Sequence, residues 1–377
     1  MNQLSYWEQQ TWLSEVDFAI IGSGIVGLSC ALSLRENHPN AKIVVLEKGT
    51  LPSGASTKNA GFACFGSVSE IRDDLKSHSE AEVIQLLKNR FEGLRWLRNT
   101  LGDKNIDYQE WGGYEVFAEN DTELFEECVS NLEYVNNLIK EALFTKNDPF
   151  SIKNDPFSFK NIQKQLIFNQ FEGQIDTGKM MQALLQKCQK KGVFILNSVK
   201  IDSFSAKNDQ ILLNFANFLQ FSAKKLFIAT NGFAKELLPE INLQPARAQV
   251  LITKPIQNLP IKGTFHLDRG YYYFRNIHDR ILLGGGRNLD FEGETTTQLE
   301  TTEVIQKELH RILSEMILPN TSFEIEHQWS GIMGVGNQKK PIIKKVSENV
   351  YCAVRLGGMG VALGGFVGTS LANCVNS

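Results

Sequence analysis

Three glycines near the start of the chain have a spacing that suits nucleotide binding. Gly22-x-Gly24-x-x-Gly27 directly follows the apolar run Asp17 to Ile21, and small and aliphatic residues at helical spacing continue to Leu34. Such glycines permit a tight turn, a close approach to a pyrophosphate, and close packing of a helix on a strand. The helix N-terminus would add amide donors and partial positive charge. The segment therefore predicts a strand, a turn and a helix that bind a phosphate-bearing ligand.

An acidic residue stands where such a site would need one. The second apolar run, Ala41 to Leu46, is followed by Glu47, which lies 20 residues after Gly27. A carboxylate at this point accepts ribose hydroxyls and repels a 2′-phosphate. The sequence thus predicts a dinucleotide other than NADP. The predicted binding residues are Gly22, Ser23, Gly24, Ile25, Val26, Gly27 and Glu47.

A membrane span is the alternative interpretation of residues 18–34. A span needs about 20 apolar residues, whereas this run of 17 contains three glycines and ends at the polar segment 35–40. We therefore expect no membrane span here.

Residues 48–61, KGTLPSGASTKNAG, contain little side-chain bulk. A simple NAD-binding domain would continue here into its next helix and strand. The run instead indicates backbone laid along an extended ligand, with main-chain amides as donors. A solvent-exposed loop is the alternative, but residues 62–65 return at once to apolar character. The residues expected to contact the ligand are Lys48, Ser53, Gly54, Ala55, Ser56, Thr57, Asn59, Ala60 and Gly61.

Glu47-Lys48 followed by SGASTKNAG resembles the flavoproteins of the D-amino-acid oxidase superfamily, such as glycine oxidase, sarcosine oxidase and the gamma-glutamylputrescine oxidase-like group. Segments 173–199, 225–232 and 329–361 extend the resemblance in the same order along the chain. It implies that the dinucleotide is FAD. It also implies further contacts from Val199, Ala229, Thr230, Asn231, Gly232, Gly357, Gly358, Met359, Gly360 and Val361.

The resemblance bears on how FAD is held. Sarcosine-oxidase-like members tether FAD through a cysteine in the stretch that corresponds to Trp329–Gly336, and this chain has none there. We therefore expect non-covalent FAD. Cys64 could lie near the flavin ring, but a small buried apolar residue is its more ordinary role.

The last motif also has an interpretation independent of any family. A strand over 350–355, glycines at 357–360 and a small-residue helix over 361–374 would place a helix N-terminus at the carboxyl edge of the sheet. Its partial positive charge would stabilise the negative charge of a reduced flavin. A C-terminal helix packed closely through its glycines is the alternative.

Composition and net charge limit the classes of binding partner that the chain can have. The net charge of −3 gives no basic field for nucleic acid or an anionic membrane. The polar, acidic segment 1–17 lacks the features of a signal peptide. Six cysteines are dispersed without a CxxC pair, which favours reduced thiols and a cytoplasmic location and gives no sign of a metal site.

Strands and helices fall into two interleaved sets. We expect an α/β fold with a Rossmann-like FAD-binding domain (1–75, 165–244 and 326–377). A second, substrate domain (76–164 and 245–325) would be built on a mixed, largely antiparallel sheet. Helices are predicted over 73–100, 121–144 and 301–317. KNDPFSI (146–152) is followed by its near-copy KNDPFSF (153–159), which we interpret as a duplicated surface insertion without chemistry, because Asp-Pro steps break helices.

Candidate substrate residues come from the second domain and from the stretch after Trp329. Alternation on one strand would place Tyr271, Tyr273 and Arg275 on one face, as an aromatic wall with one cation, although packing is the more common role of consecutive tyrosines in a sheet. Arg247 and Arg287 fit structural ion pairs better than substrate contacts. The histidines, His266 among them, have no ligand spacing.

Two departures from the resemblance concern the substrate's charge. Glycine-oxidase-like members carry a carboxylate-binding arginine two residues after the glycine of W-x-G, where this chain has Met333. Sarcosine-oxidase-like members carry a lysine in the final glycine loop, which is also missing. We expect an amine, or an amino acid with a distant carboxylate, unless Arg275 or Arg287 substitutes.

The predicted function is FAD-dependent oxidation of the C–N bond of a small amine or amino acid to an imine. The acceptor that reoxidises the flavin is left open between oxygen, a quinone and a carrier. One alternative is an FAD-binding accessory or tRNA-modifying domain without free amine oxidase activity, which the acidic balance of the chain disfavours. A flavin-free, regulatory NAD-binding protein is the other.

Overall fold

Two eight-stranded sheets organise the protein, of which the computed structural model describes residues 4–215 and 219–376. A small third sheet pairs two short segments. In chain order the strands are β1 (Val16–Ile21), β2 (Ile43–Leu46), β3 (Phe62–Ala63), β4 (Gly113–Val116), β5 (Phe150–Asn154), β6 (Gln165–Asn169), β7 (Gly173–Gln174), β8 (Phe194–Leu196), β9 (Ile201–Lys207), β10 (Gln210–Phe215), β11 (Leu219–Ile228), β12 (Gln244–Thr253), β13 (Thr264–Leu267), β14 (Tyr272–Ile277), β15 (Arg280–Gly285), β16 (Ile325–Val335), β17 (Ile342–Ser347) and β18 (Val350–Val354).

The helices lie between these strands. They are α1 (Tyr6–Glu8), α2 (Ile25–Asn37), α3 (Val68–Ser77), α4 (Glu80–Leu101), α5 (Asp103–Ile106), α6 (Thr122–Ser130), α7 (Leu132–Leu143), α8 (Thr177–Lys190), α9 (Glu303–Ile312) and α10 (Gly360–Asn373). Short 3₁₀ or π-helical turns occupy Gln9–Leu13, Ala55–Thr57, Asn231–Glu236, Arg287–Leu289, Leu313–Ile317 and Cys374–Asn376.

The first sheet has the strand order β17-β18-β11-β1-β2-β8. Five of these strands, from β18 to β8, run parallel, while β17 is antiparallel to β18 and a β9–β10 ribbon extends from β11. Strands buried on both faces of a parallel sheet have continuous apolar sequences, as β1 and β2 do. The Rossmann-like arrangement predicted from the sequence is confirmed.

Small residues bring the last helix close to the first sheet's other helices. α10 packs against α2 and α4. A Cβ on Gly364 would collide with the Ile25 side chain, and a Cβ on Gly93 would collide with the carbonyl oxygen of Ala362. The glycines of α10 therefore serve packing in its middle, while its N-terminal end faces the cavity described below.

The second sheet has the order β16-β12-β15-β14-β13-β4-β6-β5. Every neighbouring pair is antiparallel except β4 and β13, as the predicted mixed, largely antiparallel sheet requires. Two predicted domain boundaries need correction. β6 and most of β16 were assigned to the nucleotide domain, but both pair within the second sheet, because β16 pairs with β12 along its whole length and β6 bridges β4 and β5.

Two predicted helices are each divided in two. The helix expected over 73–100 begins earlier, as α3, and is interrupted at His78, since Ser79 and Glu82 form a capping box that starts α4. The helix expected over 121–144 is interrupted at Asn131, between α6 and α7. The third, over 301–317, is α9 followed by the π-helical turn Leu313–Ile317.

The tandem copies are not a simple surface insertion. Phe150 of the first copy is buried and starts the edge strand β5, which pairs with β6. Phe159 of the second copy is buried against Phe265 and Phe274, and Asp155 accepts the N–H groups of Phe157 and Phe159. The copies therefore differ in structure because their aromatic residues enter different parts of the core.

Residues 18–34 belong to β1, the following turn and α2. Within the described part of the chain, no helix combines the length and the apolar character that crossing a bilayer would require.

Candidate active site

The chain turns from β1 into α2 through the glycines predicted to bind a pyrophosphate. Gly22 has a φ of 106°, a left-handed conformation that costs glycine nothing. A Cβ on Gly27 would collide with the carbonyl oxygen of Gly22, so glycine is needed for α2 to start this close to β1. Ile25 N–H is bonded to Ser56 Oγ at 3.0 Å. This turn faces a cavity of about 560 Å³ that lies between the two sheets.

The Glu47 carboxylate lies at the same end of the cavity and is held by serines. Its Oε2 accepts from the N–H and hydroxyl of Ser23, at 3.2 and 2.8 Å. Its Oε1 accepts from Gly49 N–H at 2.9 Å and from the Ser53 hydroxyl at 3.0 Å. A buried carboxylate held in one orientation is a suitable acceptor for ribose hydroxyls.

The small-residue segment 53–61 lies along the cavity wall, as its composition suggests. It contains the short turn Ala55–Thr57 and is cross-linked by Asn59. The Asn59 amide donates to the carbonyls of Ala55 and Ser56, while its oxygen accepts the N–H of Gly61 at 2.8 Å and the Thr177 hydroxyl at 3.0 Å. Such bonding is that of an ordered wall and not of a solvent-exposed loop.

The opposite wall comes from the ends of β11 and β18. Val199, Ala229, Thr230 and Asn231 line it together with the segment 357–361. Val199 N–H is bonded to the Glu47 carbonyl at 2.8 Å, which ties this wall to the ribose-binding end. Asn231 Oδ1 accepts the N–H of Arg355 at 3.1 Å.

Four predicted contact residues support the cavity instead of lining it. Ser23 is fully buried behind Glu47, and Gly27 packs against Gly22. The Thr57 hydroxyl donates to the Pro52 carbonyl at 2.7 Å. Thr57 lines a second, smaller cavity. A Cβ on Gly232 would lie 2.5 Å from the carbonyl oxygen of Met333, so this glycine permits close packing on β16.

Aromatic and ionisable side chains from the second sheet line the other end of the cavity. Tyr271, Tyr273 and Met333 line it, as the sequence predicts. Tyr272 and Phe274 point into the second sheet's core, so the predicted alternation of faces is confirmed. Tyr273 packs edge-on against Phe62 at a centroid distance of 5.7 Å. Burial raises the pKa of Tyr273 to about 12, so its phenol is neutral.

His266 also lines this end, although no spacing in the sequence indicated a role for it. Its Nε2 lies 3.0 Å from Glu172 and its Nδ1 lies 3.8 Å from Glu70. Burial alone would lower the pKa of His266, but the charge and hydrogen bond of Glu172, with the charges of Glu70 and Glu115, raise it to about 9. The imidazole is therefore a cation at neutral pH. Glu172 lies 94 positions before His266, so local spacing could not reveal this pair.

Arg275 does not reach this cavity, which corrects the expectation that it shares a substrate wall with Tyr273. Its Nη1 donates to the carbonyl oxygens of Gly61 and Ile175, at 2.9 and 2.8 Å. The side chain follows the predicted face of β14 but ends behind the segment 53–61, in the smaller cavity of about 180 Å³.

The two other arginines considered from the sequence differ from each other. Arg247 is buried and paired with Glu294 at 2.8 Å and with Glu300 at 2.9 Å, as a structural ion pair should be. Arg287 lines the cavity instead, with its guanidinium 4.8 Å from the centre of the Phe291 ring.

Cys64, Glu172 and His266 are close enough to invite comparison with a metal site. Their potential ligand atoms lie within 4.8 Å of one another. Burial raises the pKa of Cys64 well above its usual value, and the charge and hydrogen bond of Glu172 raise the pKa of His266 to about 9. In the metal-free protein the three side chains form a buried ion pair beside a thiol.

Residues 17–374 match the sequence model of the family described as FAD dependent oxidoreductase (DAO). The chain belongs to this family. It is 21% identical over 386 residues to the probable oxidoreductase OrdL of Haemophilus influenzae, and this alignment covers 99% of the chain and 86% of that protein.

Solved structures share the fold of this DAO-family chain. L-proline dehydrogenase from P. horikoshii superposes with a TM-score of 0.75 at 18% identity, covering 96% of this chain and 93% of the other. Glycine oxidase from Bacillus cereus superposes with a TM-score of 0.75 at 17% identity, covering 96% and 97%. The chain is thus an FAD-dependent oxidoreductase, and FAD is the dinucleotide that the glycines and Glu47 predicted.

The residues of the cavity fit FAD. A Cβ on Gly54, Gly357 or Gly360 would meet no atom within 4 Å, so the backbone leaves open space there for a ligand. The buried Thr230 hydroxyl has no hydrogen-bond partner among the described residues. The α2 N-terminus and Glu47 would hold the pyrophosphate and a ribose. The N-terminal end of α10, which lines the cavity, would offer its partial positive charge to the negative charge of a reduced flavin.

Proposed function

We propose that this DAO-family chain oxidises the C–N bond of a small amine or amino acid to an imine. The observation that carries the proposal is the continuity of the cavity. One end is lined by the dinucleotide turn and Glu47, and the other by Tyr271, Tyr273 and His266. A substrate at the second end would share one cavity with the cofactor.

Bound FAD would supply the electron acceptor for the hydride of the C–H bond beside the nitrogen. The chain's residues would have three tasks, which are to bind the amine, orient this bond and limit water. Tyr271 and Tyr273 present aromatic faces, and Met333 presents a flexible apolar side chain. These groups suit the apolar part of a small amine.

The charge of the second end supports an amine. Free amines are mostly cationic at neutral pH, so a site for them should be negative overall. Around His266 the carboxylates of Glu70 and Glu172 outnumber the single imidazolium, and Glu70 itself lines the cavity. Desolvation strengthens the attraction of these carboxylates for an ammonium group. Glu70 is placed to receive the proton that this group must lose before its carbon is oxidised.

The attachment of FAD and the location of the protein are part of the same proposal. Trp329–Gly336 offers no cysteine for a tether, and Cys64, which lines the cavity, is held as a thiol by burial. FAD is therefore bound without a covalent link. The buried cysteines Cys30, Cys64, Cys128, Cys188 and Cys352 form no disulfide, which suits a reducing, cytoplasmic compartment. Oxygen, a quinone or a protein carrier could reoxidise the flavin.

Product analysis tests the proposal. The FAD-loaded protein is incubated anaerobically with a panel of amines and amino acids, and the carbonyl compound from imine hydrolysis is quantified. We expect one carbonyl per FAD without an acceptor, and repeated turnover with an artificial electron acceptor. An accessory domain without free amine oxidase activity would give no carbonyl from any member of the panel, although dithionite would still reduce its flavin.

A further inference from the structure

Arg287 lies at the substrate end of the cavity, in the turn that follows β15. Gly286 has a φ of 81° and donates its N–H to the carbonyl oxygen of Tyr271 at 3.0 Å. This bond places Arg287 next to Tyr271, on the second sheet. The donors for the FAD pyrophosphate belong to the first sheet. Arg287 is half-buried and lines the cavity.

No acidic side chain of the described residues lies within ion-pair distance of Arg287. Glu294 is near enough to act on it electrostatically. However, the Glu294 carboxylate is already bonded to Arg247 at 2.8 and 2.9 Å and to Gln249 at 2.9 Å. Burial lowers the pKa of Arg287, and yet a guanidinium remains charged at neutral pH. A half-buried charge without a counter-charge is costly.

The other cations that line the cavity are mostly neutralised. Arg269 pairs with Asp73 at 3.7 Å, and Lys339 pairs with Asp74 at 2.6 Å. Lys48 and Lys200 both pair with Glu236. Lys58 has no ion-pair partner among the described residues either, and its side chain lies beside Gly331 of β16. Arg287 and Lys58 are thus the cavity-lining cations without an ion-pair partner among the described residues, and Arg287 is the one that lies beside Tyr271.

We infer that Arg287 is the specificity-determining residue that binds an anionic group of the substrate, most simply a carboxylate. The inference rests on the proposed function for the amine half of the substrate. The Phe291 ring supports one face of the guanidinium, so the N–H groups at its edge stay free for two parallel bonds to a carboxylate. The anion-binding residue of this protein would then lie at the end of β15, whereas the resemblance to glycine oxidase places it at the position of Met333. An amine that carries a carboxylate is then preferred over its decarboxylated counterpart.

The test compares butyrate with butyramide, a neutral molecule of similar shape, as ligands of the FAD-loaded protein. Binding is followed by the change in the absorbance of bound FAD. We expect butyrate to bind at least tenfold more tightly than butyramide. Arg287→Met should weaken butyrate binding about 10- to 100-fold, as expected for loss of charged hydrogen bonds, and should change butyramide binding less than twofold. Arg287→Lys should recover part of the loss, since an ammonium group keeps the positive charge but cannot form the two parallel bonds of a guanidinium.

Two control variants make the assignment specific. Arg269→Met removes a cavity arginine that already has an acidic partner, and should change butyrate binding less than twofold. Lys58→Met removes the other unneutralised cation. The inference is overturned if Arg287→Met binds butyrate like the unchanged protein, or if Lys58→Met alone removes the preference for butyrate.

A substrate comparison separates this inference from the proposed function. The rate of anaerobic flavin reduction is measured for amines and for their α-carboxylated counterparts. If amines reduce the flavin and Arg287→Met leaves the preference for the carboxylated member unchanged, only the Arg287 assignment fails. If no amine or amino acid reduces the flavin while butyrate binding still depends on Arg287, the proposed function fails and the anion site stands.

Discussion

Arg275 donates to the carbonyl oxygen of Gly61 at 2.9 Å and so ties the second sheet to the segment that lines the cofactor cavity. A second bond to the Ile175 carbonyl fixes the same guanidinium from another side. The described part of the chain offers it no ion-pair partner. Both hydrogen bonds of its guanidinium go to backbone carbonyls, so Arg275 links the second sheet to the cofactor side of the protein.

Replacement of Arg275 should affect the binding of FAD more than the binding of the substrate. We expect Arg275→Met to weaken FAD binding because the segment 53–61 loses an anchor, while the two lost bonds, at about 1.5–3 kcal/mol each, lower chiefly the free energy of unfolding. Arg275→Lys should lose less. FAD dissociation constants measure the effect, and the preference between carboxylated and plain amines serves as the control. A changed preference with unchanged FAD affinity would return Arg275 to the substrate site.

Substitutions at Glu47 and at Ser53 should weaken FAD binding to different degrees and so test the proposed contact with the ribose. Glu47→Gln removes the charge and should weaken FAD binding by about 1.5–3 kcal/mol for each charged hydrogen bond lost. Glu47→Lys should nearly eliminate binding, because a cation would be buried against Ser23 and Ser53. Ser53→Ala, which removes a supporting donor, should have the smallest effect. Equal FAD affinity in all four proteins, measured by equilibrium dialysis, would show that Glu47 does not contact the cofactor.

His266 should make stability depend on pH in a defined window. Its folded pKa of about 9 lies above the ordinary histidine pKa of 6.5. The folded state therefore binds more protons, and this stabilisation is full below pH 6.5 and is lost as pH rises through 9. The groups that face the ring are Glu172, Glu70, Glu115 and Cys64.

The check on this window is a pair of unfolding curves. Denaturation at pH 6 and pH 9.5 is compared for the unchanged protein and for His266→Gln. The variant should lose less stability than the unchanged protein between these two values. Glu172→Gln removes the main counter-charge and should cost about 3 kcal/mol at pH 6. Parallel stability curves for the unchanged protein and His266→Gln would contradict the pairing.

The tandem copies provide a test of packing. Phe150→Ala and Phe159→Ala should each lower the free energy of unfolding by about 3–5 kcal/mol, because both side chains are buried. Lys153→Ala, on the exposed part of β5, is the matched control and should change stability by less than about 0.5 kcal/mol. If all three variants unfold alike, the copies are the surface insertion that the sequence suggested.

The cofactor half of the site could be predicted from the sequence because its signals are local. The turn from β1 to α2 needs glycine at fixed positions, and Glu47 follows from the length of one strand–helix–strand unit. The tandem copies show the limit of composition, because Asp-Pro steps indicate a turn but do not reveal that Phe150 and Phe159 enter the core.

The substrate half could be predicted only in part because its partners are distant in sequence. The predicted alternation placed Tyr273 on β14, and Tyr271 just before that strand, toward the cavity that both residues line, yet it could not show that Arg275 ends behind Gly61. His266 acquires its charge from Glu172 and Glu70, which come from other elements. Arg247 and Arg287 look alike in sequence, and only the position of Glu294 distinguishes them.

The most direct test of amine oxidation is a deuterium isotope effect on anaerobic flavin reduction. The yellow FAD-loaded protein is mixed with the best amine from the substrate panel, either unlabelled or deuterated at the carbon that bears the nitrogen. We predict that the flavin absorbance bleaches and that deuteration slows the bleaching severalfold, since the C–H bond beside the nitrogen is broken in this step. Flavin that stays yellow with every amine and amino acid, yet bleaches with dithionite, would contradict the account.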